Sequence, residues 1–198
     1  MRNPALRIEP FTLADIPEAS QMTYATWGSE LQANRRTKRI LYEAMVRYYY
    51  RNGDYSYKVV DDKGMQAFLL AGLPGNSEGS AAWLAKAKAG LLQQERVIVQ
   101  GYHDYLAYNS LRMEEYVQED DVLLHLFISK QPGCGHSLLQ QVAGAGSDSR
   151  KKGLLLWTDE TCDYAYYRKN GFQQLDRFQN GKSAELGNLQ TLIYRKII

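Results

Sequence analysis

The chain has 198 residues, of which 44% are hydrophobic, 12% aromatic and 23% charged, enough apolar side chain for one buried core and short for two. Lys and Arg outnumber Asp and Glu by only 24 to 22, so no whole-molecule field draws the protein to nucleic acid or to an acidic membrane. The opening stretch MRNPALRIEPFTLADIPEA lacks the apolar heart of a signal peptide, and no run approaches the ~20 apolar residues of a membrane span, so a cytoplasmic protein with no membrane partner is expected.

ALRIEPF alternates as a first strand, and the TLAD that follows has the Thr-x-x-acid form of a helix start. Within 36–51, Leu41, Ala44, Met45 and Tyr48 fall at i, i+3, i+4 and i+7 and predict one buried helical stripe, with Arg35, Arg36, Lys38 and Arg39 as its solvated approach. YSYKVVDDKGMQAFLLAGL reads as two strands joined at Asp61-Asp62-Lys63-Gly64, a hairpin. From Gly75 to about Gln118 the composition turns to Ala, Lys, Gln, Glu and Tyr. Leu84, Ala87 and Leu91 stand at helical spacing there, and Gly90 and Gly101 are candidate breaks, so 75–118 is a helical insertion rather than a second domain.

DVLLHLFIS (121–129) is a nearly continuous apolar run, the pattern of a central strand buried on both faces. A glycine turn follows, then a helix with Leu138, Leu139 and Val142 on one face and a strand LLLWT (154–158). A short helix through 162–170 and strands around 172–178 and 189–197 complete the chain. Strand, helix, strand, helix in this half predicts parallel pairing there, while the hairpin makes the sheet mixed.

A strand that ends in a glycine turn and enters a helix brings free backbone N–H groups and the positive end of the helix dipole to one point, which suits an anion such as phosphate. The turn is not a Walker A loop, because residues 133–138 read Gly-Cys-Gly-His-Ser-Leu and carry no lysine. It is not the dinucleotide fingerprint either, since Leu138 stands where the third glycine belongs. Taken alone, Gly133-x-Gly135 reads better as a plain strand-to-helix turn.

Lys130-Gln131-Pro132-Gly133-Cys134-Gly135, followed by Leu138-Leu139, resembles the Arg/Gln-x-x-Gly-x-Gly/Ala loop of the GNAT superfamily of acetyl-CoA-dependent N-acyltransferases, with lysine at the first place. YYRKNGF (166–172) is similar to that family's aromatic-Tyr-x-x-x-Gly-Phe element and stands in the expected order downstream. The resemblance covers roughly 5–30, 55–73 and 121–198 and leaves the insertion outside. It implies a single α/β (α+β) domain over 1–198, with a mixed, mostly antiparallel sheet of about seven strands flanked by helices. The insertion then falls between the third and fourth strands.

The same resemblance implies that acetyl-CoA is the cosubstrate, its pyrophosphate wrapped by backbone N–H groups of the loop, and that the partner is an amine acceptor attacking the thioester directly. The cofactor-binding set is then Phe127 and Ile128 on the central strand, Lys130, Gln131, Pro132, Gly133, Cys134 and Gly135 in the loop, and His136 and Ser137 in the first helical turn. Thr161 joins it near the place where the family often carries an asparagine. A backbone N–H near Phe127 or Ile128 is the candidate oxyanion donor, and side chains on Gly133 or Gly135 are expected to obstruct the pyrophosphate. Tyr167 stands at the family's general-acid position, where it would protonate the leaving thiolate; the alternative is a tyrosine stacked among Tyr164 and Tyr166. His125 shares, by two-residue alternation, the face of Phe127, and is either a base toward the acceptor or a hydrogen-bonded core histidine. Cys134, at a helix N-terminus, admits a second reading as a nucleophile. Both Cys134 and Cys162 are expected as free thiols, and His103 and His136 have no metal-ligand spacing. The rival function is a non-catalytic acyl-CoA-binding or regulatory module, and a third is a nucleotide-binding protein with an atypical loop. The acceptor amine and the assembly state, a homodimer included, are left open.

Overall fold

A computed structural model describes residues 6–29, 31–51, 55–75, 80–180 and 189–198. The strands are β1 (Arg7–Pro10), β2 (Tyr57–Asp61), β3 (Gly64–Gly72), β4 (Asp121–Ser129), β5 (Gly153–Asp159), β6 (Gln173–Gln179) and β7 (Gln190–Ile197). The helices are α1 (Ile16–Trp27), α2 (Arg35–Tyr49), α3 (Ser80–Ala89), α4 (Gln93–Glu114), α5 (Cys134–Asp148) and α6 (Tyr164–Lys169). One sheet takes the strands in the order β1-β2-β3-β4-β5-β7-β6. Every pairing is antiparallel except β4 with β5, so β4 is central and the parallel step falls where the sequence predicts it. Ala5, which opens the predicted first strand, and residues 76–79 of the insertion lie outside the described residues.

Local chemistry accounts for the helix starts. The Thr12 backbone N–H and hydroxyl donate to the Asp15 carboxylate at 2.7 and 2.9 Å, in the single 3-10 turn Leu13–Asp15 that leads into α1. Asn34 caps α2 by accepting the Thr37 N–H at 2.9 Å. The buried face of α2 is wider than the predicted stripe: Tyr42, Val46 and Tyr49 are buried beside Leu41, Ala44 and Met45, while Tyr48 is half-buried. The insertion lies between β3 and β4 and consists of α3 and α4, which separate at residues 90–92. Gly101, the other candidate break, continues α4 without interruption. A mid-helix glycine costs only about 1 kcal/mol, and the packing of Val99, Tyr105, Leu106 and Met113 along this 22-residue helix outweighs it.

Apolar cores lie on both faces of the sheet. Met65, Phe68, Leu70, Leu126 and Ile128 pack with α1, α2 and α4. Ala67, Leu69, Ala71, Val122 and Leu124 pack with Cys134, Leu138, Leu139 and Val142 of α5. The change of parity along β4, from Leu124 on one face to Leu126 on the other, follows from a β-bulge. Leu124 pairs with Ala71 and Leu126 with Leu70, leaving His125 as the extra residue. At the start of the strand the buried Asp121 carboxylate accepts the Gln118 N–H at 2.8 Å and an Arg195 N–H at 2.5 Å, tying β4 to β7 across β5.

Candidate active site

The parallel ladder between β4 and β5 runs only from Asp121↔Gly153 to Leu124↔Leu156. Beyond the bulge the two strands part. Residues 126–129 keep β3 as their partner on one side, while Trp157, Thr158 and Asp159 of β5 stay with β7. A cleft of about 1120 Å³ opens between them, lined by both strand ends, by α1, α2 and α4 on one side, and by the residue 130–136 turn and α6 on the other. Strand carboxyl ends at a change of strand direction are where open sheets of this kind bind ligands.

The turn half of the cleft is built on Gly133, whose φ of +88° suits only glycine without strain. It is the N-cap of α5, and the first backbone bond back to it comes from the Ser137 N–H at 3.1 Å. The N–H groups of Cys134, Gly135 and His136 therefore have no backbone acceptor among the described residues. A Cβ on Gly133 would meet nothing within 4 Å, whereas one on Gly135 would lie 2.8 Å from the Phe127 ring and 3.6 Å from the Tyr166 hydroxyl. The need for glycine at 135 is thus close packing of α5 on Phe127 and Tyr166, rather than clearance for a phosphate alone.

Several loop side chains brace the turn. The Lys130 ammonium donates to the Met65 carbonyl at 3.0 Å, and the Gln131 amide donates to Gln66 at 3.0 Å. His136 is exposed with Nδ1 3.2 Å from the Asn170 Oδ1. Ser137 turns its hydroxyl to the Gly133 carbonyl at 3.3 Å. Cys134 is buried against the α5 core, where burial and the nearby Asp61 charge push its thiol up, so the nucleophile reading has no support in its surroundings. Cys134 and Cys162 are free thiols. Cys162 lines the cleft but is pushed up to about 12, burial first and then Asp159 being the causes. Among the described residues no cluster could hold a metal ion, and no helix is long and apolar enough to cross a membrane.

Phe127, Ile128, Tyr166, Tyr167 and Thr161 all line the cleft. The Tyr167 ring is fixed by Phe172 (5.6 Å), Tyr166 (5.8 Å) and Tyr194 (5.8 Å, stacked). Burial, then the Cys162, Tyr166 and acidic neighbours, push its pKa well above that of an ordinary phenol, so it stays protonated. Its hydroxyl has no hydrogen-bond partner among the described residues.

His125 does not share a face with Phe127. The bulge aims it at α2, where it stacks on Tyr49 at 5.3 Å, while Phe127 meets Tyr166 at 5.9 Å on the α5 side. Both ring nitrogens of His125 are buried without a partner among the described residues, and burial, with the Arg51 charge second, holds its pKa down to about 3. An unfolded histidine titrates near 6.5, so the folded state refuses a proton that the unfolded state takes. This stability is present above about pH 6.5 and is lost as pH falls toward 3. Denaturation curves between pH 7 and 4 are expected to show a loss on the order of a few kcal/mol from this group. A His125→Leu variant should lose distinctly less over the same range; equal slopes would show that the imidazole is not desolvated.

Four cleft residues carry no motif and escape a motif-based reading: Tyr49, Tyr105, Trp157 and Asp159. The Asp159 carboxylate accepts the Tyr105 hydroxyl at 2.6 Å, and the Thr161 N–H and hydroxyl at 2.9 and 2.5 Å. Thr161 thus acts on the cleft through Asp159. An acid closing the strand LLLWT was the available signal.

No family model matches the sequence, and no curated protein matches it. Solved structures do match along the whole chain. The C-terminal condensation domain of Ebony, in complex with beta-alanyl-dopamine, is 11% identical with a TM-score of 0.69 over 99% of this chain and 100% of that one. The ribosomal-protein-S18-alanine N-acetyltransferase from Escherichia coli is 13% identical, TM-score 0.55, covering 98% and 94%. An acetyltransferase of the GNAT family from Staphylococcus aureus is 11% identical, TM-score 0.56, covering 98% and 99%. At these identities the shared property is the fold, and the fold is GNAT.

Proposed function

On this GNAT fold we propose that the chain transfers the acetyl group of acetyl-CoA to an amine. The observation that carries the reading is the end of the β4–β5 ladder at Leu124↔Leu156, which opens a cleft leading to the free N–H end of α5. The N–H groups of Cys134, Gly135 and His136, which have no backbone acceptor among the described residues and stand at the positive end of a 15-residue helix, suit the coenzyme A pyrophosphate. The thioester then lies along β4, where backbone N–H groups that lack a β5 partner can donate to the oxyanion formed when the amine nitrogen attacks the carbonyl carbon. The C–S bond breaks as the tetrahedral intermediate collapses, the Tyr167 hydroxyl gives its proton to the departing sulfur, and the proton released from the new amide nitrogen returns through water to the phenolate. His125, with its basicity suppressed by burial, is a weak base for an alkylammonium; its part is that of a neutral hydrogen-bonding group on the acceptor side.

Calorimetry with acetyl-CoA, followed by thiol release with a panel of amines, tests the reading. Binding of acetyl-CoA and acceptor-dependent release of free thiol are expected. Binding with no amine giving thiol would favour the non-catalytic acyl-CoA module, and preference for ATP over coenzyme A would overturn the cofactor assignment.

A further inference from the structure

The acceptor side of the cleft is a wall of rings. Tyr42 and Tyr49 come from α2, Tyr102 and Tyr105 from α4, and Trp157 from β5, and all five line the cavity. Four of the rings are continuous, with centroids 6.3 Å apart from Tyr42 to Tyr102, 5.9 Å from Tyr102 to Tyr105 and 5.7 Å from Tyr105 to Trp157, while Tyr49 stacks on His125 at 5.3 Å. Such a surface favours a flat apolar body and, through the ring quadrupoles, a cation beside it.

Charge on the lining is sparse and one-sided. Of the described lining residues only Lys130 is a lysine or arginine, and its ammonium is committed to the Met65 carbonyl. The lining acids are Asp159 and Asp163, and Asp163 caps α6 by accepting the Tyr166 N–H. Asp159 is half-buried and pairs with no cation among the described residues. Its Oδ1 takes both Thr161 donors, while Oδ2 takes only the Tyr105 hydroxyl and keeps room for another donor. A carboxylate drawn out of water without a counter-ion is completed by an incoming cation.

We infer that the acceptor is a carboxylate-free amine carried on an aromatic body, its nitrogen held by Asp159 as the ammonium on entry and giving one proton to water before it attacks, and its ring lodged against the α2 and α4 tyrosines and Trp157. This rests on the acetyl-transfer reading for what happens to the amine, but not for which amine enters. An amino acid brings a carboxylate that meets Asp159 with no cation to receive it. A polyamine brings several cations to a lining with two acids, of which Asp163 already caps α6.

The test uses the full chain and four probes: 2-phenylethylamine, phenylalanine, n-hexylamine and spermidine. Each is titrated calorimetrically with and without saturating coenzyme A, and each is assayed for thiol release from acetyl-CoA. Expected is tightest binding and lowest KM for 2-phenylethylamine, by about tenfold or more over phenylalanine and spermidine, with hexylamine between. Asp159→Asn, which keeps one oxygen for the two Thr161 donors and turns its amide NH2 toward the Tyr105 oxygen, should raise the 2-phenylethylamine dissociation constant about 10- to 100-fold while leaving coenzyme A affinity unchanged. Equal use of phenylalanine and 2-phenylethylamine, or preference for spermidine, overturns the inference while thiol release upholds acetyl transfer. Selective binding of 2-phenylethylamine that depends on Asp159, without coenzyme A binding or thiol release, upholds the inference and sinks acetyl transfer. Should the asparagine variant not fold, the ranking of the four probes on the wild-type chain decides alone.

Discussion

Tyr167→Phe is expected to lower kcat by about a hundredfold or more, the usual consequence of deleting a general acid, while leaving acetyl-CoA affinity and Tm nearly unchanged. The ring is held by Phe172, Tyr166 and Tyr194, and phenylalanine keeps all three contacts. What disappears is one hydroxyl that bonds to no described residue and that burial keeps protonated. A phenol is a weaker acid than a thiol, so it contributes as charge builds on sulfur in the transition state, and the loss belongs in kcat rather than in binding. Tyr166→Phe is the internal control. Its hydroxyl is buried with no partner among the described residues, so its removal should keep most activity and cost no stability. Full activity of Tyr167→Phe, with chemistry shown to be rate-limiting, would return Tyr167 to a packing role and assign the proton to water.

The second large effect is expected at Gly135. Valine there drives its Cβ to 2.8 Å from the Phe127 ring, and the branch atoms lie closer still. Overpacking of this kind costs about 1–3 kcal/mol, and the ring that must yield is itself a wall of the cleft. Coenzyme A affinity should therefore fall by about tenfold or more, equivalent to at least ~1.4 kcal/mol, along with a measurable drop in Tm. Gly133→Ala makes the contrast: the space is open, and the cost of about 1–2 kcal/mol lies in the backbone at φ +88°. Unchanged affinity in a folded Gly135→Val protein would detach the turn from the coenzyme A site.

The fold was largely legible because its signals are local. The hairpin around Asp61–Gly64, the apolar run of β4, the glycine turn and the two-helix insertion each show in a few adjacent residues. What was not legible depends on partners distant in sequence. The bulge at His125 carries no glycine or turn residue to announce it; it exists because six residues of β3, Ala67 to Gly72, face seven of β4, Leu123 to Ser129. Simple alternation therefore gave His125 the face of Phe127. The resemblance puts Lys130 in the cofactor-binding set because the motif places it at the turn, yet the nearby Met65 carbonyl takes its ammonium. The ring wall joins residues 42 and 49 to 102, 105 and 157, a juxtaposition that only the packing of α4 across α2 and β5 creates. Asp159 was passed over because a lone acid at a strand end says little until Tyr105 is seen to reach it across 54 positions.

That single supernumerary residue gives the strand a spatial frame of its own. On either side of it Leu124 and Leu126 lie on opposite faces, as they would if they were neighbours in an uninterrupted strand. Excising position 125 would thus leave every flanking side chain facing the way it does now, and both cores could close as before. The strand would straighten, and nothing would then oppose an extension of its pairing with β5 past Leu156. Evolutionary change of this cleft is consequently more exposed to indels than to exchanges: losing one codon could seal it without unfolding the protein, whereas most point changes in β4 can only reshape its walls.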